Sequence, residues 1–262
     1  MKRFLKFYLV LVLATVVTHA AELTNADAVL DFAVAKTAGY ESYSATFAQS
    51  LDMPNWKSRE TGTIAFKRPA QMRRETSIEL NSSPQPQQMV MVIGSDQIVW
   101  QQATISGQTK VMKTDLKNSP TNSPVATLMK NFSRWKPEAL LAKAKDQYTF
   151  TLLPATELRG QRMYVLAGEL RVTAKPTLRE ALASTDEGKI LHFIGQQDGF
   201  LHRVEQRDKT GSNTVYLMEF TNLKLNTPLA DSLFTYHLAP GANVIDVSQL
   251  PFQLLKLPLA DH

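Results

Sequence analysis

From Tyr43 to Leu80 polar and apolar residues alternate, and that period of two constrains the fold more than any other feature of the chain. Tyr43, Ala45 and Phe47 fall on one side, with Ser44, Thr46 and Ala48 on the other. Gly62, Ile64 and Phe66 repeat the pattern, and Met72, Thr76, Ile78 and Leu80 point one way while Arg73, Glu75, Ser77 and Glu79 point the other. Successive side chains alternate across a strand, so each run predicts a strand. The polar alternate positions predict an antiparallel sheet with one wet face.

The same reading carries through the rest of the chain. A single helix precedes the strands, over 25–38: it is capped at Thr24/Asn25, carries Val29, Phe32, Ala33 and Lys36 at helical spacing, and stops at Gly39. Pro84 and Pro86 make 81–88 a long hairpin loop. Strands are expected at 89–93, 97–102 and 109–116, then two proline-initiated helices at 124–132 and 137–144. Further strands follow at 148–153, 163–172, 189–195, 200–207, 214–225 and 234–238, with Asp198-Gly199 as a hairpin turn. Residues 175–187 are ambiguous, and an apolar tail, 244–259, is broken by Pro251 and Pro258. No compositional break suggests a linker, so one domain over 21–262 is expected. About eleven strands with helices at the front and in the middle predict a mainly β fold, an unclosed antiparallel barrel under a helical lid.

Residues 1–20 read as a cleaved secretory signal: Lys2, Arg3 and Lys6, an apolar run from Phe7 to Val17, then Thr18-His19-Ala20. The run is shorter than the roughly 20 residues that span a bilayer. The chain carries a formal charge of +5, but three of its 29 basic residues lie in this segment, leaving 26 against 24 acidic ones. A nearly balanced chain without a basic run lacks the footprint of a nucleic-acid binder. The absence of cysteine excludes disulfides, thiolate metal sites, a cysteine nucleophile and a lipid-modified cysteine anchor.

Signs of catalysis are thin. There is no HExxH, no Gly-x-Ser-x-Gly and no phosphate-cradling glycine loop. His192 and His202 flank the Asp198-Gly199 turn, and two imidazoles make at best half a zinc site; they read as exposed strand residues. A binding protein without cofactor or metal is expected rather than an enzyme. One local pattern stands out, Gly62-Thr63-Ile64-Ala65-Phe66-Lys67-Arg68-Pro69. The alternation puts Arg68 on the apolar face with Ile64 and Phe66, where a guanidinium needs acceptors. Carbonyls at a helix C-terminus would supply them, making Arg68 a latch between sheet and lid; the alternative is an arginine that snorkels to water at the strand end.

Ser44-Ala45-Thr46-Phe47-Ala48-Gln49, Gly62 to Pro69 with Met72-Arg73, Asp96-Gln97-Ile98-Val99-Trp100, Phe234-Thr235-Tyr236 and Pro240-Gly241-Ala242-Asn243-Val244 occur in this order along the chain. The ordered set resembles the periplasmic outer-membrane lipoprotein carriers of the LolA family. The resemblance implies the unclosed eleven-stranded barrel with its lid, and the latch role for Arg68. It implies a monomeric periplasmic chaperone that takes acylated lipoproteins from an inner-membrane lipoprotein-releasing ABC transporter, shields their acyl chains, and delivers them to an outer-membrane receptor or to the membrane itself. The expected ligand-binding lining is Phe47, Ile64, Phe66, Met72, Ile78, Met89, Met91, Trp100, Leu128 and Met129. Departures from the family pattern are Arg74, pointing inward where an aromatic is usual, Gln102 where a tyrosine is common, and the segments 81–88 and 175–187. Arg74 is a candidate polar group in the pocket, so a carrier or sensor of another lipid or glycolipid is the alternative reading.

Overall fold

A computed structural model describes residues 23–53, 56–119, 136–171 and 189–248. The signal, the helix expected at 124–132 with Leu128 and Met129, the segment 175–187 and the tail beyond 248 lie outside the described residues. Twelve strands form one sheet: β1 (Ser42–Met53), β2 (Trp56–Lys67), β3 (Gln71–Leu80), β4 (Gln87–Ile93), β5 (Ile98–Ile105), β6 (Gln108–Asp115), β7 (Tyr148–Leu158), β8 (Gln161–Leu170), β9 (Ile190–Gly195), β10 (Leu201–Arg207), β11 (Thr214–Leu225) and β12 (Val244–Asp246). Their spatial order is β12-β6-β5-β4-β3-β2-β1-β11-β10-β9-β8-β7. The terminal strands β12 and β7 do not pair with each other, so the barrel is unclosed.

Two antiparallel meanders, β1–β6 and β7–β11, are joined where β1 pairs with β11. Eleven of the expected strands are thus present, and the twelfth strand of the sheet departs from the pattern: β12 runs parallel to β6, Val244 opposite Val111. The strand expected at 234–238 is instead a single 3-10 turn, Asp231–Phe234, followed by extended chain. The alternation there is too short to show whether a partner strand is available.

Helix α1 (Ala26–Ala38) begins where the Asn25 side chain accepts the Ala28 amide at 2.8 Å. It buries Val29, Leu30, Ala33 and Thr37, a stripe turned by about one position from the expected one, so that Lys36 faces water. Helix α2 (Pro137–Gln147) starts on its proline and buries Leu141 and Ala144. The two helices pack with Tyr164, Leu166, Ile194, Val204 and Tyr216 into one core. A second core gathers Tyr43, Phe47, Ile64, Phe66, Met72, Met91, Val99 and Phe220.

Glycine matters at two places. A Cβ at Gly62 would lie 2.0 Å from the backbone oxygen of Glu75, so only glycine permits this approach of β2 to β3. Gly199, at φ +65°, turns the β9–β10 hairpin against α1, where a Cβ would lie 2.9 Å from Lys36 Cβ and 3.2 Å from Ala33 Cα.

Candidate functional site

The inner face of the sheet is built in cross-strand rows. Tyr43, Phe66, Met72, Ile93 and Val99 form the first; Ala45, Ile64, Arg74, Met91 and Gln101 the second. Phe47, Gly62, Thr76, Met89 and Ala103 form the third, and Gln49, Glu60, Ile78 and Gln87 the fourth. On the other side of the seam, Phe220 stands opposite Phe47 and Met218 opposite Gln49, so β11 continues the same face. The methionines of this face run from 2% exposed at Met72 through 8% at Met91 to 38% at Met89, whereas Phe47 and Thr76, in the row of Met89, stay buried. The face is therefore sealed near Arg68 and reaches water at Met89 and at Trp56.

Of the expected lining, Phe47, Ile64, Phe66, Met72, Ile78, Met89 and Met91 share this face. Trp100 does not. It stands opposite Val92 and Lys113, on the outer face, stacked on Tyr236 with ring centroids 5.1 Å apart. The alternation carried the signal: Val99 and Gln101 are the inward residues of β5. Gln102 faces outward with Trp100 and accepts a hydrogen bond from the Tyr236 hydroxyl at 2.8 Å.

At the sealed end Arg68 reaches both helices. Its Nε donates to the carbonyl of Tyr40, just past α1, at 2.7 Å, and its Nη2 to the carbonyl of Thr37, in the last turn of α1, at 3.4 Å. Nη2 also pairs with Glu138 Oε1 of α2 at 2.9 Å. Glu138 went unnoticed in the sequence, because an acidic residue in the first turn of a helix has an ordinary explanation in the helix dipole. Its charge is felt nearby: burial first, then Glu138, pushes the Tyr43 hydroxyl well above the ordinary tyrosine value, with Arg74 opposing.

Tyr40 extends this connection to the β9–β10 turn. Its hydroxyl donates to the Asp198 carbonyl at 2.5 Å, and burial, with the Asp198 charge, raises its pKa to about 12. The Asp198 carboxylate accepts from Gln161 Nε2 at 2.7 Å and from the Phe200 amide at 2.9 Å, and His202 Nε2 lies 3.0 Å away. Both strand histidines are buried, contrary to the exposed reading. His192 packs edge-on against Phe150, and a bulge between Leu201 and Arg203 turns His202 toward Asp198. No group of three or more His, Asp or Glu able to hold a metal occurs among the described residues.

Between α2 and the sheet lies a cavity of about 360 Å³, bounded by Leu140 and Ala144 above and by Ile190, Val204, Tyr216 and Met218 below. That size falls at the low end of ligand cavities, about 300–1,000 Å³. Among the described residues no helix is long and apolar enough to cross a membrane.

The fold and site define a class: an open antiparallel barrel with two helices packed on its inner side, both reached by one arginine. No protein-family model matches the sequence, and no curated protein matches it either. Solved structures do. MucB, in its complex with MucA from Pseudomonas aeruginosa, is 14% identical, with a TM-score of 0.44, over 80% of this chain and 62% of that one. The lipoprotein LppX of Mycobacterium tuberculosis is 11% identical, TM-score 0.44, over 78% of this chain and 98% of the other. A LolA superfamily protein from Nitrosomonas europaea is 12% identical, TM-score 0.26, over 82% and 99%. The chain spans less than two thirds of the MucB chains it matches.

Proposed function

We propose that this protein is a carrier that shields acyl chains on the inner face of its open barrel and makes or breaks no covalent bond. The observation that carries the reading is Arg68: one guanidinium on an apolar sheet face ties down both covering helices. Hydrogen bonds and an ion pair of this kind are worth about 0.5–3 kcal/mol each, and they add to the apolar packing of Val29, Leu30, Ala33 and Leu141 under the same helices. Burying acyl chain returns about 0.8 kcal/mol per methylene, so a chain that takes the place of those side chains against the sheet offsets the opening. Lipoproteins are the cargo that the sequence resemblance implies, received from an inner-membrane transporter and delivered to the outer membrane. The address read from residues 1–20 puts this traffic in the periplasm.

A second reading, a carrier of another lipid, is favoured by one observation: an ion pair, Arg74 with Glu60, set among the uncharged residues of these rows. Mass spectrometry of what co-purifies with the mature protein tests the proposal. Acylated peptide or free lipid at near-stoichiometric amounts is expected; protein that stays empty after incubation with both lipoprotein and lipid vesicles overturns it.

A further inference from the structure

Midway along the inner face an ion pair stands among apolar and neutral polar side chains. Arg74 stands opposite Ile64 and Glu60 opposite Ile78, with Gly62 and Thr76 between them in register. Arg74 Nη2 donates to Glu60 Oε1 at 2.5 Å, and the two side chains are only 18% and 16% exposed. The Phe47 ring lies 4.7 Å from the guanidinium carbon and orients its plane. Gln49, the cross-strand neighbour of Glu60, accepts a hydrogen bond from the Tyr216 hydroxyl at 3.3 Å. Tyr216 in turn borders the cavity under α2. Tyr216 and Gln49 therefore stand between that cavity and the pair, and a head group meets the charges once these two side chains turn aside.

Burying both charges costs more than burying two apolar side chains of similar volume, which would hold an empty barrel at least as well. The charges themselves indicate what meets them. A purely anionic head on Arg74 would strand the Glu60 carboxylate in a buried site, and a purely cationic head on Glu60 would strand the guanidinium. A head that carries both charges a few bonds apart leaves neither unpaired. We propose that Arg74 and Glu60 form the head-group site for a zwitterionic aminophospholipid. The guanidinium donates to the phosphate oxygens, the carboxylate accepts from the ammonium, and the direct Arg74–Glu60 bond opens as the head enters. The acyl chains lie over Phe47, Ile64 and Met91. This rests on the carrier reading and specifies the cargo's head: an N-acylated lipoprotein has no ammonium at its lipid end.

Delipidated protein is titrated with phosphatidylethanolamine and phosphatidylglycerol of identical acyl chains, each competing with a fluorescent acyl probe. The wild type is expected to prefer phosphatidylethanolamine at least tenfold. Glu60→Gln, which keeps the cation and removes the anion, reverses the preference toward phosphatidylglycerol. The double change Arg74→Met with Glu60→Met brings the ratio close to one. Equal binding of the two lipids by the wild type overturns the head-group site while leaving the carrier reading intact, and this comparison needs no variant to fold. A preference that survives in Glu60→Gln overturns it as well. Failure of the wild type to bind either lipid or to displace the probe removes the carrier reading and the site together.

Discussion

Arg68 and Arg74 lie on neighbouring strands and face the same way, yet each is held by different partners. Arg68 ends among helix carbonyls and Glu138, so its bonds exist only while the cover is down. In a carrier the closed empty state competes with the loaded one, and a contact unique to closure drives release. Arg68→Leu is therefore expected to retain cargo: about 2 kcal/mol of lost closure energy corresponds to roughly 30-fold slower or weaker release, read as transfer from loaded protein to acceptor vesicles. Normal transfer by the variant sinks the latch. Asp198 gives a second test. Burial alone would raise its carboxyl pKa, but the bonds from His202, Gln161 and the Phe200 amide outweigh burial and hold it below the ordinary 3.8. Its unfolded form thus binds the proton more readily, so the contribution is complete above about pH 4 and is lost as pH falls through the lower folded value. Melting curves between pH 3 and 6 should show Asp198→Asn less stable than wild type at pH 6, with the gap narrowing toward pH 3. A constant gap counts against this role.

The strands show how far alternation reads the fold. Rows built on Phe47, Ile64, Phe66, Met72 and Met91 were legible because a pleated strand repeats every two residues and the hairpins between them are short. Trp100 belongs to a motif that suggests the lining, but the alternation of Val99 and Gln101 points it outward. Glu60 was legible on the same ground, two residues before Gly62 on the inward face, but an isolated acidic residue in a strand gives no hint of its partner. The burial of His192 and His202 was not legible, since it depends on a bulge and on which face of another hairpin arrives above them. The pairing of β12 was also hidden: three residues have no period, and their partner lies more than 130 positions away. Two glycines test the element boundaries. Gly62→Ala must displace the β3 backbone and should cost about 2 kcal/mol or more in urea unfolding. Gly199→Ala adds left-handed strain and pushes on α1, at about 1–3 kcal/mol. An unchanged urea midpoint for either contradicts the close approach.

For the whole molecule the central expectation is that the cover moves. Because the chain contains no cysteine, an introduced pair is the only one present. A Cβ at position 199 lies 2.9 Å from that of Lys36, a little tighter than the roughly 3.5–4.5 Å of disulfides, so a small shift lets Lys36→Cys and Gly199→Cys bridge. The oxidised variant should take up less than a tenth of the lipid bound by wild type, with loading restored by reductant. Undiminished loading while oxidised shows that α1 stays in place as cargo enters.

The seam between β1 and β11 has a consequence for how the chain folds. Each meander grows by neighbouring hairpins, but Phe47 must find Phe220 across about 170 residues of intervening chain. Contacts so distant in sequence form slowly, because the loop they close costs entropy before any pairing is returned. A polypeptide emerging N-terminus first would complete its β1–β6 half early and hold the free edge of β1 unpaired until β11 is delivered. During that interval the future inner face is an exposed strand edge beside an apolar surface, the combination most prone to pairing with another chain. The rate at which the second half arrives then governs the yield of folded protein.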